Sequence, residues 1–147
     1  MEKNDRPLGF LLSRALFSLT ALHRINIKNA GLNLPYSQVL VLRYLHDSDG
    51  LSQADLARLM GKDTAAIKRT LDRLESKGLI ERRQVTLRKN SIHITDKGIR
   101  MMPAVWKITK ETVASSLAGI SQEEYGAAVD FLNKVYTNSE TIIKKAK

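Results

Sequence analysis

No cysteine occurs among the 147 residues. That absence excludes disulfides, thiolate zinc sites and thiol redox sensing together. Aromatic residues make up only 5% of the chain, so aliphatic side chains must fill its core. Histidine is scarce as well. His23, His46 and His93 are scattered, with no Asp, Glu or Cys set at ligand spacing around them, and no metal site is expected. Ser13, Ser18 and Ser91 have no evident His–Asp company in the sequence, which leaves nucleophilic catalysis unsupported. Without a convergent acid, base or nucleophile set, an enzyme is not expected and no cofactor is implied. There is no internal repeat, no low-complexity segment, and no run approaching the roughly 20 uninterrupted apolar residues of a membrane span. The N-terminal MEKNDRPLGFLLSRALFSLTAL resembles a signal peptide at first sight. Its apolar part is interrupted by Arg14, no small-residue cleavage site is evident, and amphipathic spacing continues past His23, Arg24 and Lys28. The expectation is a cytoplasmic protein without a membrane partner.

What the chain does have is apolar content and positive charge. A hydrophobic fraction of 43% is ample for a packed core, and 147 residues suit one domain. Net charge is +9, unevenly spread. Residues 51–100 carry 12 basic and 6 acidic side chains, against 6 and 4 before them and 6 and 5 after. Two thirds of the excess therefore lies in one stretch, the electrostatic footprint of a polyanion-binding segment.

Periodicity and punctuation divide the chain. Residues 8–30 read as a long helix with an apolar stripe wider than one neighbour requires, ended by Gly31. Such a helix is either central to its own fold or shared with a second chain. Pro35-Tyr36-Ser37 opens the next helix, and Asp47-Ser48-Asp49-Gly50 is a turn. Ser52 caps a short helix over 53–60, with Asp55 making a weak capping box. Gly61-Lys62 is a turn, and Asp63 caps a helix from Thr64 to Lys77. Ile67, Leu71 and Leu74 form the inner face of that helix. Ala65, Arg69, Asp72, Arg73 and Ser76 point outward, with Lys68 on the flank. Strands are expected at 79–85 and 91–95, joined by an open basic loop over 86–90, because no Asn-Gly or Asp-Gly turn is present. A helix follows from residue 95 or 96 to 117, with Pro103 expected to kink it or disturb its first turn. Ser121 and Glu124 form a capping box for the last helix.

Helix, turn, basic helix and basic hairpin in that order describe a winged helix-turn-helix, whose second helix enters the major groove of DNA. The half facing the bases offers Lys62, Thr64, Ala65, Lys68 and Arg69. Lys and Arg suit guanine, while Ala65 or the Thr64 methyl suits thymine. Arg73 is better placed for a phosphate. Ser37, Ser52 and Gln53 lie at helix starts, where phosphates are held. Arg88 and Lys89 at the hairpin tip are in a position to reach a flanking minor groove. The fold class expected is mainly α with a small β-hairpin wing.

The segments LPYSQVLVLRYL (34–45), LSQADLARLMGKDTAAIKRTLDRLESKGLIERR (51–83) and IHITDKGIRMMPAV (92–105) resemble the MarR family of bacterial transcription regulators. The resemblance implies a single MarR-like domain over 1–147, with a DNA-binding lobe at 34–95 and dimerisation helices at 8–30 and 96–147. It implies a homodimer on double-stranded DNA, at a pseudopalindromic operator with half-sites roughly 10 bp apart. It further implies a repressor released by a small aromatic or anionic effector. DNA contacts carry over to Ser52, Gln53, Thr64, Ala65, Lys68, Arg69, Arg73 and Arg88. Family analogy also points to Arg14, Phe17 and Trp106 as an effector pocket, the alternative being that the two aromatics are core residues and Arg14 is on the surface. The chain departs from the family in the wing. The usual Asp-x-Arg is replaced by Thr86-Leu87-Arg88, which implies a wing held less rigidly or held differently. Rival readings are an effector-independent architectural DNA binder and a winged-helix module for protein or RNA.

Overall fold

The computed structural model describes residues 7–147. The chain forms two compact units, the first ending at Val113 and the second comprising Ala114–Lys147. Elements follow in the order α1 (Leu8–Asn29), α2 (Tyr36–Asp47), β1 (Leu51–Ser52), α3 (Gln53–Met60), α4 (Thr64–Ser76), β2 (Ile80–Thr86), β3 (Lys89–Ile94), α5 (Asp96–Ser116) and α6 (Gln122–Lys145). The expected helices are all present to within a residue or two, and α5 runs unbroken through Pro103.

The core of the first unit is aliphatic, as the shortage of aromatics requires. Val41, Leu42 and Leu45 of α2, Leu56 of α3, Ile67, Leu71 and Leu74 of α4, and Leu79, Ile80 and Ile92 around the sheet are all buried, with Met102 and Val105 of α5. Helix α4 contributes the Ile67, Leu71 and Leu74 face that its periodicity assigns to it.

The sheet corrects the sequence reading in two ways. It has three antiparallel strands in the order β1-β3-β2, because Leu51 and Ser52 pair with Ile92 and Ser91 ahead of α3. Two residues carry too little periodicity to be read as a strand. The expected open loop over 86–90 is instead a closed hairpin in which Thr86 pairs with Lys89 and only Leu87 and Arg88 turn. Tight hairpins with Asn-Gly signals need positive φ to match strand twist. Here no non-glycine residue has positive φ. Between Gln84 and Thr86 the register shifts, leaving Val85 without a partner. A bulge of this kind increases local twist, so the turn needs no special residue.

Helix α1 is long and apolar enough to cross a membrane, with a mean hydropathy of 1.2, despite Arg14. Its C-terminal part is built into the first unit. Ile27 is in the core, Asn26 Nδ2 donates to Thr112 Oγ1 at 2.8 Å, and His23 Nε2 meets Thr109 Oγ1 at 3.1 Å. Its N-terminal part leaves Leu8, Phe10, Leu11, Leu12, Leu16 and Phe17 exposed. In the second unit, α6 is capped by the full Ser121–Glu124 box and has no buried residue. Tyr125, Val129, Leu132, Tyr136 and Ile143 recur at helical spacing as an exposed apolar stripe.

His23 is expected to make the stability of the fold depend on pH. The hydroxyl of Thr109 donates to Val105 O at 2.9 Å, so the proton between Thr109 and the ring belongs to His23 Nε2. Nδ1 is then the bare nitrogen, buried with no hydrogen-bond partner. Burial pulls the His23 pKa below its ordinary value. The unfolded chain therefore binds a proton that the folded chain resists. Stability is complete above the unfolded value of about 6.5 and is lost as pH falls through it toward the lower folded value. Melting temperature should fall between pH 7.5 and 5.5, and His23→Leu should flatten that slope. Asp55, Asp72 and Glu124 are held low instead, and their contributions are lost only further into acid.

Candidate nucleic-acid interface

The sequence builds the two-helix core of the site by local capping. Ser52 Oγ accepts from Asp55 N at 3.1 Å while Asp55 Oδ2 accepts from Ser52 N at 3.1 Å, a complete capping box. The Ser52 hydroxyl also donates to Asp55 at 2.7 Å. These bonds hold the Asp55 carboxyl below the usual carboxylate range. They also engage the Ser52 hydroxyl, so an anion at this helix start would be met by the other first-turn N–H groups. Gly61 closes α3 at φ 59°, a left-handed position a larger side chain would resist. Asp63 Oδ1 then accepts from Ala66 N at 2.7 Å to start α4. Gln53 Nε2 donates to Thr64 O at 3.1 Å and braces one helix start against the other.

The outer face of α4 carries Ala65, Lys68, Arg69, Asp72 and Arg73, all exposed. Their electrostatic states differ. Lys68 Nζ lies 2.8 Å from Asp72 Oδ2, so part of its donor capacity is used within the helix. No ion pair or side-chain hydrogen bond engages the guanidinium of Arg69 or Arg73 among the described residues. Lys77, at the end of the helix, is structural. Its ammonium donates to Gln38 Oε1 at 2.6 Å and to Asn33 O, and burial together with nearby Arg73 lowers its pKa.

The predicted residues gather around two recesses. Ser37, Lys62, Arg69 and Arg73 line one of about 270 Å³. Ser52, Gln53, Thr64, Arg88 and Lys89 line another of about 650 Å³, between the start of α3 and the wing. Ala65 and Lys68 are exposed and belong to neither lining.

The wing is held by contacts that the sequence reading missed. Arg82 of β2 reaches back to α4, binding Asp72 Oδ1 at 2.7 Å and the carboxylate of Glu75. Asp72 thus accepts from both Lys68 and Arg82, which keeps its carboxyl low. At the base of the hairpin, Asp49 Oδ2 accepts from His93 Nδ1 at 2.7 Å, and Asp49 Oδ1 accepts from Ile94 N at 2.9 Å. Desolvation pushes the Asp49 carboxyl up, but these hydrogen bonds outweigh it and hold the pKa below its ordinary value. The other ring nitrogen of His93 lies 2.9 Å from Ser91 Oγ. Ser91 therefore does have His–Asp company, contrary to the sequence reading. Its hydroxyl is also 3.3 Å from Arg83 O, so the chain of bonds ties the turn after α2 to β3 and β2. At the tip, Arg88 N approaches Thr86 Oγ1 at 3.4 Å, where the family pattern has an Asp.

The expected effector trio is not brought together. Arg14 lies over the ring of Phe10, its own i−4 neighbour, at 5.7 Å. Trp106 meets His46 edge-on at 4.6 Å, near the C-terminal end of α2. Phe17 lines a cavity of about 260 Å³ with Thr20, Ala21, Arg24, Pro35, Tyr36 and Ser37. The positions 17, 20, 21 and 24 share one helix face, and Arg24 lines the cavity while Arg14, about 15 Å further back along the axis, does not. Ten residues of α2 separate its start from His46, about 15 Å, so Trp106 is at the other end. Neither aromatic is a core residue, Phe17 being 75% exposed and Trp106 37%. The Tyr36 hydroxyl has its pKa raised by burial and by Tyr44.

Comparison with known proteins gives a consistent picture. The family model described as "MarR family" matches residues 31–86. The uncharacterized HTH-type transcriptional regulator YdgJ of Bacillus subtilis (strain 168) is 31% identical over 112 residues, covering 72% of this chain and 66% of that protein, just under two thirds of its length. The crystal structure of MarR superposes with a TM-score of 0.88 at 25% identity, over 99% of each chain. A MarR-family regulator from Listeria monocytogenes, solved in complex with a 26mer DNA, shares the fold at a TM-score of 0.79 and 23% identity, over 90% of this chain and 89% of that one.

Proposed function

This chain belongs to the MarR family, and from that premise we propose that it is a sequence-specific, double-stranded DNA-binding transcription regulator. In this reading it acts as a cytoplasmic homodimer that represses from a pseudopalindromic operator until a small aromatic or anionic effector releases it. The observation that carries the reading is the outer face of α4. Two arginines there, Arg69 and Arg73, have no partner among the described residues, and the face is flanked by Lys62 on one side and by Arg88 and Lys89 of the wing on the other. Arg69 reads base edges, Arg73 and Lys62 hold phosphate, and the wing reaches the adjacent groove. A protein of the same fold bound to a 26mer DNA supports the assignment.

The dimer is supported by apolar faces that each unit leaves uncovered on its own, on α1 in the first and α6 in the second. The effector reading is supported by the cavity beside Phe17, which offers an aromatic ring, the guanidinium of Arg24 and the phenol of Tyr36. Ser37 lines both this cavity and the recess holding Arg69 and Arg73, so a ligand in one is a single residue from the DNA-facing surface.

Selection of duplexes from a random pool by the purified chain tests the proposal. On the selected duplex Arg69→Ala should cost about 1–3 kcal/mol and relax sequence preference. Arg73→Ala should weaken selected and random duplexes alike and reduce the salt slope by about one. Identical behaviour of the two variants on both kinds of DNA would show that this helix is misassigned.

A further inference from the structure

Leu87 is 97% exposed, more than any other large apolar side chain among the described residues. It is the first of the two residues that turn β2 into β3, at the outermost point of the wing. The turn has no use for it. Gly, Asn and Asp favour such positions because they reach positive φ or hydrogen-bond locally. Here φ is negative and the local contact is made by Thr86 and Arg88. A single exposed leucine would need no account by itself. This one sits at a cationic hairpin tip, with Arg88 and Lys89 directly after it and free of ion pairs among the described residues, while Arg83 before it is paired with Glu81, and Val85, 60% exposed, is unpaired in the bulge beside it. The wing is therefore a cationic finger with an apolar point.

We infer that Leu87 is a wedge that enters the minor groove beside the half-site and partly unstacks one base step, kinking the duplex there. The inference rests on the DNA-binding reading above. Leucine is among the side chains that minor-groove proteins insert between base steps, with basic residues nearby to read the groove and hold phosphate. Arg88 and Lys89 line the same recess as Gln53 and Thr64, so the helix starts and the tip of the finger border one recess. The bonds of Arg82 to α4 fix the direction of the finger. Pyrimidine–purine steps unstack most easily, so Leu87 selects for such a step at a position that no polar group of the wing needs to read.

The probe is the duplex selected by the full chain, with 2-aminopurine placed at the flanking pyrimidine–purine step, where unstacking raises its fluorescence. Binding of the wild-type protein should raise the signal, Leu87→Met should keep the rise and Leu87→Ala should abolish it. Replacing the step with a stiff A-tract should weaken wild-type binding about tenfold and leave Leu87→Ala unaffected. A rise that survives Leu87→Ala, or tight binding with no rise, overturns the wedge and leaves the regulator reading intact. A pool that yields no preferred duplex sinks both. If Leu87→Ala instead dissociates a dimer in sedimentation, the residue is a protein contact and the wedge is overturned. A side chain this exposed can be replaced without unfolding the protein, so the thermal melts of all three proteins should coincide.

Discussion

Raising the salt from about 50 to about 200 mM is expected to weaken binding of the selected duplex by about 10³–10⁵-fold, the loss typical of proteins that neutralise several phosphates. The size follows from the surface. Lys62, Arg73, Arg88 and Lys89 are exposed cations around the α4 face, and none of them forms an ion pair among the described residues. Two copies of this set in a dimer displace about eight counterions, which gives a log–log slope near −7. Lys68 and Arg82 add little to that count because Asp72 and Glu75 already neutralise them. The measurement is a fluorescence-anisotropy titration at several salt concentrations. A module that docks on protein through the apolar parts of this surface would give a shallow slope, and such a result would remove the DNA reading altogether.

The largest effect on stability is expected from a single methyl group at Gly98. This residue is buried in the first turn of α5, where an added Cβ would lie 2.4 Å from Leu79 O and 2.7 Å from Ile94 Cγ1. The carbonyl cannot yield easily, because it accepts from Thr95 N at 3.1 Å. Thr95 Oγ1 meanwhile donates to Gly78 O at 2.7 Å and accepts from Gly98 N at 3.1 Å. Helix α5 is thus clamped onto the segment that leads from α4 into β2. Alanine is the better helix former by about 1 kcal/mol, so propensity alone predicts that Gly98→Ala stabilises the protein. The clash opposes this. Overpacking against backbone should cost about 3 kcal/mol, the upper part of the usual range. For a chain of this size that corresponds to a melting temperature lower by about 6–12 °C. A melt followed by circular dichroism decides the sign, and a rise would mean that the close approach of α5 is not there.

The helix-turn-helix was legible in the sequence because its determinants are local. Ser52 with Asp55, and Asp63 with Ala66, are three residues apart, so the caps can be read in a window of four. The division of α4 into a buried Ile67, Leu71, Leu74 side and an exposed Arg69, Arg73 side follows from helical spacing alone. The wing was less legible. Its tight turn relies on a bulge at Val85, and bulges carry no residue signature comparable to Asn-Gly. The effector trio rested on family analogy with no local signal in the sequence, whereas within one chain the fold places Arg24 beside Phe17 at one cavity and Trp106 beside His46 near the far end of α2.

The short basic stretch of helix, turn, helix and hairpin was therefore determined by the sequence by itself, together with an aliphatic core and a surplus of positive charge over residues 51–100. Tertiary structure alone decided which of those charges remain available. Arg82 was committed to Asp72 and Glu75, Lys77 to Gln38 at a separation of 39 residues, and His93 to Asp49 at 44. A sequence pattern records that a side chain is charged and which face of its element it occupies. Whether that charge meets a partner depends on distances between elements, and those are set only when the core packs.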